Sequence, residues 1–101
     1  MRTAAIGTGS IADQLNGVAI LLRGCEDIAT IEWAWPRLVR ALEAVAERAA
    51  AVRRRGGEPA GLQGSLAWLR QVVQDHGALS GPDGEPMRQE LLLLIDRIAG
   101  R

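Results

Sequence analysis

The sequence predicts an all-α fold, a small four-helix bundle with one long second helix kinked at Pro36, and three observations carry that reading. Apolar residues recur at three- and four-residue steps in four separate stretches, the period of a helix with one buried face. The apolar content is aliphatic, with no Phe or Tyr and only Trp33, Trp35 and Trp68 as aromatic residues, so the core is built from Leu, Ile, Val and Ala. Clusters of Gly and Pro stand between the stretches. At 101 residues one core is expected, giving a single helical domain over 1–101 with helices at about 11–23, 27–55, 59–76 and 86–99.

The first helix opens at Ser10, whose hydroxyl can cap the chain three residues on at Asp13, and Ile11, Leu15, Val18 and Leu22 form its stripe. Gly24 is expected to close it in the left-handed conformation, and Ile20 falls outside the stripe. The second helix carries Ile28, Ile31, Trp35, Leu38, Leu42, Val45, Ala49 and Val52, a coiled-coil-like seam. Acids crowd its start and Arg48, Arg53, Arg54 and Arg55 its end, matching the helix dipole. Pro36 lacks a backbone donor and so either kinks this helix or begins a new one. The seam keeps phase across the proline, which favours one kinked helix over a short helix followed by a long one.

Gly56, Gly57 and Gly61 break the chain, and Pro59 suits the first position of a third helix with the stripe Leu62, Leu66, Leu69 and Val73. Gly77 is its expected stop, followed by a loop from Ala78 to Glu85. The fourth helix begins near Pro86 with Met87, Leu91, Leu94 and Ile98 turned inward, supported by Ile95, and ends at Gly100. A faint echo of Ala34-Trp35, Arg37 and Val39 in Ala67-Trp68, Arg70 and Val72 is common helix grammar rather than a repeat.

Charge and composition narrow the function. Twelve basic residues, all arginine, balance twelve acidic ones, which argues against a general attraction to nucleic acid or an anionic membrane. Arginine without lysine matches GC-rich coding and hence a bacterial source. The single cysteine, Cys25, excludes an internal disulfide. Arg2 is followed by polar residues and then by an apolar run too short to span a bilayer, so neither a signal peptide nor a membrane segment is expected and the location is cytoplasmic.

Catalytic machinery is not legible, and no enzyme is expected. Cys25 sits beside Glu26 and Asp27, which oppose thiolate formation, and the one histidine, His76, lies in another helix with a capping role expected in its last turn. There is no Glu-x-x-His pair for a di-metal bundle, and Glu43 and Glu47 read as a solvated face beside Arg40 and Arg48. No cofactor or metal is called for. The run Arg53-Arg54-Arg55 before Gly56-Gly57 is the candidate phosphate contact, hence the alternative of a small nucleic-acid- or phosphate-associated regulator.

Two features point instead to protein binding, by the chain to itself as a homodimer or to a helical partner. Leu91 to Ile95 are five consecutive apolar residues, so with the stripe inward Leu93 points outward and Leu92 to a flank. The second helix, at about 43 Å, is roughly twice the length of its neighbours, which are expected to leave part of its seam uncovered. Trp33 points away from the seam, toward Arg37, Arg40 and Ala44. The expected function is a protein-interaction module, a small adaptor, chaperone or assembly factor, with Leu92, Leu93 and Trp33 at its interface.

Overall fold

The computed structural model describes residues 9–100, and all their regular structure is helical. The segment around Arg2, read above for a leader, lies outside the described residues. Four helices, α1 (Ile11–Gly24), α2 (Ile28–Arg54), α3 (Leu62–Asp75) and α4 (Glu85–Ala99), form a small bundle, with a single 3-10 turn at Gly77–Leu79. The molecule measures 41 × 37 × 20 Å. A helix of 27 residues is about 40 Å long and a packed helix about 10 Å across, so α2 spans the longest dimension and two layers make the thickness.

The capping chemistry works largely as the residues dictate. Ser10 Oγ accepts from the Asp13 amide at 3.0 Å, and Asp27 Oδ1 accepts from the Thr30 amide at 2.9 Å and the Thr30 hydroxyl at 2.7 Å. Gly100, at φ +90°, closes α4 with its amide bonded to carbonyls of the last turn. Three expected boundaries are corrected. Gly24 is the last helical residue of α1 and has no positive φ, so a left-handed cap does not end that helix. Pro59 is not a first helical residue, because Gly61 adopts the left-handed conformation at φ +72° and a right-handed helix can begin only after it. Gly77 begins the 3-10 turn, and α3 stops where His76 becomes extended.

α1 packs on α2 and α3, and α4 packs on the same two. Side-chain reach gives the directions. Arg48, late in α2, bonds to Gly9 and Gln14 at the start of α1, so that pair is antiparallel. Arg53 reaches the Ile98 carbonyl, so α2 and α4 end together. His76 reaches the end of α1, and a Cβ on Gly61 would lie 3.3 Å from Ala12 Cβ, so α1 and α3 run parallel.

One apolar core joins all four helices and the 3-10 turn. Ile31, Leu38, Leu42, Val45 and Ala49 of the seam are fully buried, and Ile28, Trp35 and Val52 are half-buried. The centre of the seam closes within one chain, while Ile28, Trp35 and Val52 keep part of their surface in solvent. Leu79, in a stretch expected to be loop, is fully buried in the same core. In α4 the fully buried positions are Leu91, Ile95 and Ile98, while Leu94, expected inward, is half-buried. Leu92, expected at the interface, is also half-buried and packs in part against the core. Leu93 stays 68% exposed.

α2 runs unbroken through Pro36, as the phase of the seam requires. The proline leaves the Glu32 carbonyl without its intrahelical donor, and both residues lie on the exposed side where solvent can serve it. Pro36→Ala restores that donor, and a proline in a helix interior costs about 3 kcal/mol. The variant should keep the fold and melt several degrees higher, read by circular dichroism. A lower melting point would mean that the ring contributes packing the helix needs.

Candidate functional site

The exposed side of α2 carries the most distinctive surface. Trp33 stands opposite the buried seam and is 75% exposed, the largest apolar side chain left in solvent. Trp35 and Trp68 are half-buried. The Arg37 guanidinium lies one turn on, 5.6 Å from the centre of the Trp33 ring, a cation–π contact that holds the indole over the helix. Beside them runs an open groove of about 480 Å³, lined by Gln14, Trp33, Pro36, Arg37, Arg40, Ala41 and Ala44.

Local sequence explains this groove. Helical spacing puts residues 33, 37, 40 and 44 on one outward stripe, and Ala41 and Ala44 are too small to fill the space beside α1. Its α1 wall is Gln14, buried although polar because Arg48 Nη1 donates to its side-chain oxygen and also to the Gly9 carbonyl at 3.2 Å. Arg48 is thereby spent on holding the wall. Among the described residues Arg37 and Arg40 have no ion-pair partner, so two cationic groups flank an exposed indole.

The arginine run is divided by the fold. Arg53 makes a bidentate pair with Glu58, Nε to Oε1 at 3.0 Å and Nη2 to Oε2 at 3.2 Å, and its Nη1 donates to the Ile98 carbonyl at 2.8 Å. Those bonds hold the Glu58 carboxyl below its ordinary range. Arg53 thus caps α4, while Arg54 and Arg55 are exposed. The three expected phosphate contacts do not form one uncommitted cluster.

His76 caps, as expected, but at a different helix. Its Nδ1 accepts from the Ala78 amide at 3.1 Å, so Nε2 carries the proton and donates to the carbonyls of Cys25, at 2.7 Å, and Leu22, at 3.1 Å. Both ring nitrogens are engaged, and the imidazole supplies the closure of α1 that Gly24 does not. Sequence spacing gave no reason for His76 to lie near Cys25; the parallel packing of α1 and α3 brings it to the backbone carbonyl. The Cys25 Sγ donates to the Leu21 carbonyl at 3.3 Å. Burial, with the charge of Asp27, pushes the thiol above its ordinary pKa.

Among the described residues no three His, Cys, Asp or Glu side chains converge to hold a metal ion, and no helix is long and apolar enough to cross a membrane. The Trp33 stripe was legible from helical phase alone, whereas Gln14 and the depth of the groove depend on how α1 docks. Among the described residues the large apolar side chains exposed to solvent are Trp33 beside its groove, Leu93 on α4 and Ile20 on α1. No protein-family model, curated protein or solved structure matches this chain.

Proposed function

We propose that this chain is a protein-interaction module, an adaptor or assembly factor, whose docking site is the groove beside Trp33. The observation that carries the reading is the 75% exposed indole held by Arg37 at the edge of a groove. A tryptophan this exposed adds nothing to the chain's own core, yet buried by a partner it is among the strongest anchors at interfaces. Arg37 and Arg40, without carboxylate partners among the described residues, select an acidic segment with an apolar side chain to lie against the ring.

Peptide display on the intact chain tests this. Acidic amphipathic sequences should be enriched by the native protein and not by Trp33→Ala. An interface anchor costs about 2 kcal/mol or more when truncated, roughly a thirtyfold loss of affinity. The same substitution should move folding stability by no more than about 0.5 kcal/mol. Equal enrichment by both proteins would remove the groove from the function.

A further inference from the structure

We infer that a second copy of this chain docks on the α2–α4 face, as a twofold dimer centred on Leu93. This surface is separate from the Trp33 groove. It lies where α2 and α4 run parallel and end together, around a groove of about 380 Å³ lined by Ala46, Glu47, Ala50, Arg53, Arg54 and Arg97. Leu93, one turn before Arg97 on the same side of α4, is 68% exposed beside it. The small Ala46 and Ala50 leave α2 low there, so the leucine stands as a ridge next to a depression.

Charge order along this face identifies the occupant. Moving toward the shared helix ends, Glu47 precedes Arg54 on α2, and Glu90 precedes Leu93 and then Arg97 on α4. All four charged side chains are exposed, and among the described residues none is in an ion pair or side-chain hydrogen bond. The acidic end and the basic end are therefore both unspent and are separated by about two turns. A surface with that order is complementary to itself turned end for end. A twofold axis through Leu93 sets Glu90 against Arg97 of the second copy. That pair then occurs twice, and the two Leu93 side chains meet at the centre out of water. A partner of single charge would satisfy one end and be repelled by the other.

Charge reversal tests the arrangement on the full chain. Analytical ultracentrifugation should show a dimer for the native protein, while Glu90→Arg alone and Arg97→Glu alone, each placing two like-charge contacts in the dimer, should weaken association about 100-fold. Mixing the two variants should restore a dimer, because one copy then carries two arginines and the other two glutamates at the paired positions. Circular dichroism should be unchanged in both, since the sites are exposed. Trp33→Ala should dimerise normally, which separates failure of this interface from failure of the groove. A native protein that stays monomeric at high concentration would overturn the inference. So would single variants that still dimerise, a mixture that does not recombine, or loss of the dimer in Trp33→Ala.

Discussion

Gly84→Ala is expected to destabilise the fold by about 3 kcal/mol or more, toward the upper end of what overpacking costs. The cause is space, not backbone conformation: Gly84 has φ −91° and ψ −15°, which any residue adopts. A Cβ there would lie 2.3 Å from the Ala78 carbonyl oxygen and 2.6 Å from Leu79 Cα. Both are backbone atoms, so no rotamer change relieves the clash and the two segments must separate. Separation lifts Leu79, fully buried at the 3-10 turn, and loosens the start of α4, where the Gly84 carbonyl accepts from the Arg88 amide at 2.9 Å. For a domain of this size 1 kcal/mol moves the melting temperature by about 4–8 °C, so a fall of roughly 15 °C is expected. Gly64→Ala is the control. It sits within α3 with nothing within 4 Å of its added Cβ, and should gain about 0.5–1 kcal/mol from helix propensity. Equal melting points for the two variants would show that the close approach at Gly84 is not a constraint.

Gly84 also marks where sequence reading stops. The helices were legible because their stripes repeat with the helical period, and α2 was legible through Pro36 because the seam keeps its phase. The turn at Gly77–Leu79 was not, because a single buried leucine between glycines has no period to detect. Gly81, Pro82, Asp83 and Gly84 look alike as turn residues, yet Gly84 is the one whose Cβ position is occupied by another part of the backbone. Its requirement is tertiary. The same limit applied to α2, where helix length alone could not say which seam positions its neighbours cover.

The candidate surfaces divide along the same line. Trp33, Arg37, Arg40 and Ala44 fall on one face by helical geometry, so the outward indole could be read from spacing. The roles of Arg53, His76 and Arg48 could not. Each spans from its own helix to another element, at sequence separations of 45, 51 and 34 residues, and sets how helix ends or walls meet. Local charge rules put Arg53 in a basic run and His76 at the end of its own helix. In the fold, Arg53 caps α4 and His76 caps α1.

Ile95→Ala should cost about 4 kcal/mol, while Leu93→Ala, two residues earlier, should move folding by about 0.5 kcal/mol at most. The five-residue apolar run in α4 contains both extremes because successive residues turn by about 100°. Ile95 is fully buried with Leu91 and Ile98, while Leu93 is 68% exposed. Truncating a buried isoleucine removes its transfer energy and leaves a cavity that packed neighbours cannot wholly close. Truncating Leu93 removes little that the isolated chain has taken out of water. Leu92 and Leu94, both half-buried, should fall between them, so the four variants together trace the rotation of α4 against the core. Leu92→Glu is consequently a folding variant, and Leu93→Glu is the one that probes association alone. Denaturant unfolding gives the order. A larger loss at Leu94 than at Ile95 would restore the inward stripe expected from the four-three-four spacing.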